Sequence, residues 1–182
     1  MKRLVFTLIA AVLFASNVPL ASAASPEPKL KDGEVKVPAD YKSWPKFLVG
    51  VDRPDVKQVR DIYINHTGAH TKAGGKFPNG TIAIMELYKA EENADGTLKK
   101  GSDEKLVKGA LLKVFVMGKG AGWGDLAPDN LKNGDWSYSA YLADGKTPST
   151  DSPLACRGCH LPLGESKDFI ARYDEYFQKR KS

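Results

Sequence analysis

Cysteine is scarce in this sequence. Only two of the 182 residues are cysteines, and a chain of this length can bury an ordinary hydrophobic core without disulfide cross-links. The sequence therefore does not belong to the class of small disulfide-rich secreted proteins. Stability alone does not account for the two thiols.

Long apolar runs are equally scarce. The only one, "LVFTLIAAVLFA", follows Lys2 and Arg3 and precedes the small residues "ASA" that end at Ala23. A basic start, an apolar stretch and a small-residue site, in this order, predict a signal peptide over residues 1–23 that is cleaved on export. Because no second long apolar run follows, we expect a periplasmic protein without stable membrane insertion.

The chain has no large excess of charge of one sign. Its formal net charge is +5, and the lysines and arginines are mixed with aspartates and glutamates. A mildly basic, mixed surface favours a small ligand or a redox partner protein, and we expect no nucleic-acid partner.

The alternation of strand and helix that builds parallel sheets is also missing, as is any internal repeat, which argues against a doubly wound fold. Four segments rich in β-branched and aromatic residues predict strands instead. They are residues 59–65, 81–88, 110–117 and 136–142. The prediction is a mainly β fold of the α+β type, built on an antiparallel sheet.

The two ends of the mature chain differ from this central region. Residues 24–40 are rich in Pro, Lys and Glu and predict a flexible arm, so that the folded domain covers residues 41–182. After Ser166, which the sequence predicts as the N-cap, aromatic and aliphatic residues recur at helical spacing and predict a C-terminal amphipathic helix. These residues are Phe169, Ile170, Tyr173, Tyr176 and Phe177.

Both cysteines lie in one short motif near the C-terminus, "LACRGCHLPLG" over residues 154–164, which contains Cys156, Cys159 and His160. Three kinds of site use this spacing. A disulfide would close a very small loop and would stabilise the fold little. A structural zinc site would need two further ligands, and His66 and His70 are the only other histidines.

The third kind of site is a covalently attached haem. Two thiols separated by two residues can form thioether bonds to the two vinyl groups of one porphyrin, and the adjacent His160 then provides the proximal axial ligand to the iron. Export and the absence of other cysteines favour this interpretation. The sequence therefore predicts one haem c held by Cys156 and Cys159.

Three stretches of the chain carry a family resemblance: "FPNGTIAIMELYKA", "NGDWSYSAYL" and the C-terminal "CRGCH". Together they resemble the cytochrome P-460 family of c-type haem proteins, which includes cytochrome c-prime-beta, over residues 41–177. The resemblance implies a mainly antiparallel β fold, a homodimer, and a five-coordinate haem. It also implies an open distal face that binds or oxidises small nitrogen compounds such as nitric oxide.

The same resemblance implies a distal pocket that includes Met85 and Lys113. Family members that oxidise hydroxylamine have a lysine cross-linked to the haem at the position matching Met85, and a carboxylate at the position matching Lys113. The two departures imply that this chain lacks the cross-link. If it is an enzyme, it is an oxidoreductase, but a poor hydroxylamine oxidase.

The role of Met85 stays open at this level, because it fits a core residue, an apolar cap over open iron, or a sixth iron ligand. A six-coordinate haem, with Met85 or with His66 or His70 as the distal ligand, would make the protein an electron-transfer cytochrome. We expect Arg53 and Arg60 to form surface ion pairs, with the haem propionates or a distal anion as the alternative.

Overall fold

The chain folds around one antiparallel sheet. The computed structural model describes residues 28–180, and within them five strands pair in the order β1-β2-β3-β4-β5. The strands are β1 (Lys46–Arg53), β2 (Gln58–Ile64), β3 (Ile82–Ala90), β4 (Lys108–Lys119) and β5 (Trp136–Leu142), and the helices are α1 (His66–Ala69), α2 (Pro153–His160) and α3 (Tyr173–Lys179). Every neighbouring pair of strands is antiparallel. The predicted mainly β fold with a C-terminal helix is confirmed.

Four of these strands lie where the sequence predicts them, whereas β1 was not predicted. The pairing of β1 with β2 shifts register between Lys46 and Leu48 and again between Leu48 and Val51, and Gly50 between them has a φ of 59°. Such bulges interrupt the alternation of buried and exposed side chains by which a strand is recognised in a sequence. An edge strand with this irregular pattern has no clear two-residue period.

The C-terminal helix begins later than predicted. Helix α3 starts at Tyr173, and the segment after Ser166 is a short 3-10 turn (Glu165–Lys167) instead of the first turn of a helix. Asp168 and Phe169 follow with φ values of 50° and 58°, in the left-handed region that a right-handed helix cannot use. The prediction of Ser166 as the N-cap is therefore wrong.

The sheet has a hydrophobic cluster on each face. The cluster on the face that α3 covers, called here the front face, includes Phe47, Ile64, Phe77, Trp136, Tyr138, Ile170, Tyr173, Tyr176 and Phe177. The cluster on the opposite, back face includes Val35, Tyr41, Trp44, Tyr63, Ile84, Val114, Val116 and Tyr141. On the front face the rings of Phe47 and Tyr176 stack with their centroids 4.0 Å apart. The aromatic residues of α3 thus anchor the C-terminus to the sheet.

The segment expected to be a flexible arm makes specific contacts from Lys29 onward. Gly33 donates its N–H to the carbonyl of Tyr138 at 2.8 Å, and Tyr138 donates its own to Asp32 at 3.0 Å. Val35 is 2% exposed and belongs to the back-face cluster. These bonds satisfy backbone groups on the outer side of β5, which would otherwise be an unpaired sheet edge.

The expected signal peptide, residues 1–23, lies outside the described residues. Within residues 28–180, none of the helices combines the length and the apolar character that crossing a membrane requires.

Candidate haem site

Helix α2 carries the cysteine–histidine motif. It begins after Ser152, whose hydroxyl accepts the N–H of Leu154 at 3.3 Å, and Pro153 occupies its first turn. Both features are typical of a helix N-terminus. Along the helix, Cys159 and His160 lie three and four residues after Cys156, a spacing that puts all three side chains on one side.

That side of α2 faces a cavity of about 340 Å³ between the helix and the front face of the sheet, which is within the size range of small-molecule sites. Cys156, Cys159 and His160 all line it. The opposite wall is largely apolar and includes Ile62, Ala83, Met85, Leu87, Phe115 and Met117. The structure therefore brings four of the predicted site residues, Met85 among them, around one space.

The two cysteines are free thiols, with no disulfide between them within residues 28–180. Burial raises the pKa of Cys156 to about 11, and the nearby carboxylates of Asp32 and Asp151 add to the increase. The Cys156 side chain therefore remains a neutral thiol at physiological pH.

The imidazole of His160 is held by one hydrogen bond and one ring contact. Its Nδ1 lies 2.7 Å from the carbonyl oxygen of Phe169, and its ring centroid lies 5.1 Å from that of Tyr138. Because a carbonyl can only accept, Nδ1 carries the proton and Nε2 keeps its lone pair. Burial lowers the pKa of His160, and the bond to Phe169 only partly opposes this effect. The neutral imidazole that results is the form that binds a metal.

Arg157, between the two cysteines, fixes α2 to the rest of the molecule and was missed by sequence analysis. It is 1% exposed, and it binds Asp32 through Nε at 2.7 Å and Nη2 at 2.9 Å. It also donates to Asn133 at 2.7 Å and to the carbonyl of Trp136 at 2.8 Å. Its partner Asp32 is 125 residues away in the chain, so no local pattern signals the contact.

Two charged residues, Arg60 and Asp151, line the cavity at one end of its sheet wall, called here the polar end, whereas Lys113 is not among the residues of the described chain that line it. Arg60 on β2 and Lys113 on β4 both pair with Leu87 of the strand between them. Lys113 does not point freely into the cavity, because its Nζ lies 2.6 Å from a carboxylate oxygen of Asp151, which lines the cavity. The pKa of Asp151 is lowered, first by this bond and second by the hydroxyl of Ser149.

Two further cavity residues, Met117 and Asp151, were not identified as site residues from the sequence, whereas Arg60, expected in a surface ion pair or beside a haem propionate or distal anion, lines the cavity. Met117 and Met85 lie on adjacent strands, so two thioethers face the cavity. The orientation of Met117 could have been found from the alternation along β4, in which Phe115 and Met117 share a face. Asp151 is in a loop, where no such period exists.

The two other histidines lie elsewhere. His66 begins α1, His70 follows it, both are exposed, and neither is among the residues of the described chain that line the cavity. Within residues 28–180, no group of three or more His, Cys, Asp or Glu side chains is arranged to hold a metal ion. The zinc interpretation therefore has no complete ligand set in this part of the chain.

The residues around the cavity fit a haem. Two thiols and a neutral imidazole with a free Nε2 lie on one wall, and an apolar wall of the kind that contacts a porphyrin ring lies opposite. In addition, the buried Nε of Arg60 at the polar end has no hydrogen-bond partner among the described residues, as expected of a donor that faces an anionic group.

Comparison with known proteins agrees with this geometry. A scan against protein families matches the family described as cytochrome P460 over residues 38–171. A search of curated proteins gives no match. Because the family match covers most of the chain, the protein belongs to the cytochrome P460 family, and membership implies that it is a c-type haem protein.

Proposed function

We propose that this member of the cytochrome P460 family is an exported cytochrome with one haem c, whose open distal face binds a small ligand such as nitric oxide. If the protein is an enzyme, we propose that it carries out redox chemistry on a nitrogen species at the same face. The observation that carries it is the convergence of Cys156, Cys159 and His160 on a single cavity with an apolar opposite wall.

The thiols supply the covalent attachment. Cys156 and Cys159 would each hold the haem through a thioether bond, with the sulfur on one carbon of a vinyl group and the thiol hydrogen on the other. This chemistry needs a free thiol in place of a disulfide. The free, neutral Cys156 and the more exposed Cys159 meet the requirement.

His160 supplies the proximal ligand. The bond from Nδ1 to the Phe169 carbonyl fixes both the tautomer and the orientation of the ring, which leaves Nε2 available for the iron. When bound, the haem supplies an iron that takes up diatomic ligands or exchanges electrons. The protein supplies the axial ligand and a wall that excludes water.

The distal face distinguishes two functions. Ile62, Met85 and Phe115 lie side by side on neighbouring strands and form an apolar surface, which suits an uncharged diatomic ligand. A second function, electron transfer by six-coordinate haem, is supported by the presence of thioethers from Met85 and Met117 on this wall. We favour the first function because the family resemblance implies an open distal face.

Location and partners complete the proposal. Cleavage after Ala23 would release the protein into the periplasm, where its mildly basic surface would meet a redox partner protein. Lys113 and Met85 are proposed to border the bound ligand, and the protein is proposed to form a homodimer. Mass spectrometry of the periplasmic protein and sedimentation at micromolar concentration test these points.

The haem itself is tested by isolating the periplasmic protein. The pyridine complex is expected to have the absorption of a haem with both vinyl groups saturated, and the mass is expected to equal residues 24–182 plus one haem. Cys156→Ala and Cys159→Ala should each remove one of the two thioether bonds. Mature protein without covalent haem would refute the proposal.

The distal face is tested by electron paramagnetic resonance and resonance Raman spectroscopy with and without nitric oxide. We expect high-spin ferric iron that takes up nitric oxide when reduced and that is unaffected by Met85→Ala. Met117→Ala is the matched control, since it removes the other thioether from the same wall. Low-spin iron that becomes high-spin in either variant would identify that methionine as a ligand and establish the electron-transfer function.

A further inference from the structure

The carbonyl that binds His160 is in an unusual stretch of backbone. Phe169, which provides it, has a φ of 58°, and Asp168 before it has a φ of 50°. Left-handed backbone is uncommon outside glycine and is unfavourable for a bulky residue such as phenylalanine. Two such residues in succession persist only where surrounding contacts hold them.

The Asp168 side chain provides the first set of these contacts. Asp168 is 3% exposed, and both of its carboxylate oxygens lie 2.8 Å from Nζ of Lys119. One oxygen also accepts the backbone N–H of Phe77 at 2.8 Å. The Lys119 side chain is itself only 10% exposed. A buried ion pair with this geometry fixes the position of both partners.

The main chain provides the second set. The carbonyl of Asp168 accepts the indole N–H of Trp136 at 2.9 Å, and the N–H of Phe169 donates to the carbonyl of Gly164 at 3.0 Å. The peptide group between Asp168 and Phe169 is thus bonded at both its oxygen and its nitrogen. The next carbonyl, that of Phe169, accepts from His160.

We propose that Asp168 is a positioning residue, which together with Lys119 holds the Phe169 carbonyl on Nδ1 of His160 and so sets the strength of the bond from His160 to the haem iron. The inference rests on the proposed function, because it requires His160 as the proximal ligand. Lys119 on β4 and Phe77 bind Asp168 and hold it against the front face of the sheet. The position of the proximal histidine is therefore fixed relative to the sheet that forms the distal wall.

The physical reason lies in the imidazole. A well-aligned acceptor on Nδ1–H increases the electron density at Nε2, which strengthens the bond to iron and stabilises the ferric over the ferrous state. If the Asp168 anchor is removed, the left-handed segment relaxes and the carbonyl moves off Nδ1. The bond from His160 to iron is then weaker, while His160 itself is unchanged.

The test uses the holoprotein and two measurements that do not depend on turnover. In Asp168→Ala, the iron–histidine stretching band of the ferrous protein should shift to lower frequency and the reduction potential should rise. Asp168→Asn retains one acceptor for Phe77 and should give shifts in the same direction that are intermediate in size.

Asp61→Ala is the matched control. Asp61 is also a buried carboxylate that accepts a backbone N–H, from Gly50 at 2.8 Å, and a lysine, Lys108 at 2.5 Å, but it does not line the cavity in the described chain. Its loss should lower stability without moving the band or the potential. If Asp168→Ala does not fold, the double variant Lys119→Met, Asp168→Ala removes the uncompensated charge and carries the same expectation.

The two proposals fail in different ways. The proposed function would be refuted if the unaltered protein carried no covalent haem. It would also be refuted if the unaltered protein showed no iron–histidine band, or if that band persisted in His160→Gly. If the unaltered protein contains the haem and shows the band, but the band and the reduction potential do not change in the Asp168 variants, only the positioning role of Asp168 would be overturned. Equal shifts in Asp168→Ala and Asp61→Ala would overturn it too, since they would reflect a general loss of packing.

Discussion

Two neighbouring residues of β3, Met85 and Glu86, project to opposite faces of the sheet and enter very different surroundings. Glu86 is on the back face and is 0% exposed. Its carboxylate accepts hydroxyl protons from Tyr41 at 2.7 Å, Tyr63 at 3.0 Å and Tyr88 at 2.8 Å. The back face therefore buries a charge and surrounds it with donors.

The front face around Met85 is apolar, in contrast to the polar surroundings of Glu86 on the back face. Its nearest cross-strand neighbours, Ile62 and Phe115, are apolar, and the three side chains border a cavity. A buried polar group surrounded by partners specifies the fold, whereas an apolar wall beside a space leaves room for a ligand. The two faces therefore differ in what they can do: the back face specifies the fold, and the front face leaves room for a ligand.

The largest expected effect comes from removing the charge on the back face. Glu86→Leu leaves the buried hydroxyls of Tyr41 and Tyr63 and the half-buried hydroxyl of Tyr88 without their acceptor, and each fully buried group costs about 1–3 kcal/mol. We expect a loss of about 3–6 kcal/mol in the free energy of unfolding of the holoprotein, measured in urea. The spin state of the iron should not change.

Glu86→Gln serves as its control, because the amide oxygen still accepts from the tyrosines while the charge is gone. It should cost less than Glu86→Leu. A change in iron spin state in either variant would contradict the separation of the two faces.

A pair of truncations compares the faces directly. Val114 on the back face is 1% exposed and pairs with Glu86, so Val114→Ala opens a new void and should cost about 2 kcal/mol. Met85→Ala removes more atoms but only enlarges an existing space, and it should cost less than about 1 kcal/mol. Urea unfolding of both holoproteins measures the difference, and a larger loss for Met85→Ala would place Met85 in the core.

These two faces also show how far sequence alone could lead. The alternation along β3 and β4 was visible in the sequence, so the front-face position of Met85 and the four regular strands could be predicted. The motif similarly led to Cys156, Cys159 and His160, which line one cavity, because the spacing that predicts haem attachment is confined to adjacent residues.

What could not be predicted depends on contacts between distant segments or on irregular backbone. The tyrosines around Glu86 come from separate elements, as do Asp32 and Arg157, and no local period links them. The bulges of β1 and the left-handed residues Asp168 and Phe169 break the patterns from which strands and helices are recognised. Their conformations are determined by tertiary contacts.

A smaller effect is expected from alkaline pH, again on the back face. Burial, and then the hydrogen bond to Glu86, raises the pKa of Tyr63 from an ordinary 10.0 to about 12, and the pKa values of Tyr41 and Tyr88 are raised in the same way. A raised pKa in the folded state contributes stability below the unfolded pKa, and this contribution is lost as the pH rises through the folded value. The free energy of unfolding should therefore decline from about pH 10 to pH 12.

Tyr63→Phe tests the origin of this decline. Urea unfolding at several pH values should show the variant less stable than the unaltered protein near pH 8, because it lacks the hydrogen bond to Glu86, with a shallower decline above pH 10, so that the difference shrinks toward pH 12. Identical slopes would show that Tyr63 does not contribute to the alkaline transition.

The smallest expected effect concerns Arg60, the charged residue that breaks the apolar character of the front face. Its Nη2 donates to Gln58 at 3.1 Å, its buried Nε has no partner among residues 28–180, and burial lowers its pKa, with Arg53 and Arg172 adding to the effect. A charged donor without an acceptor at a cavity wall should favour anions there.

Arg60→Leu should weaken nitrite binding to the ferric haem about fivefold, the equivalent of a partly solvated hydrogen bond to a charged group, and should leave imidazole binding unchanged. Arg53→Leu removes the same charge from a residue that is paired with Asp55, so it controls for the general field. If optical titration gives equal losses for nitrite and imidazole, or equal losses in the two variants, Arg60 does not select the ligand and the front face acts through its apolar surface alone.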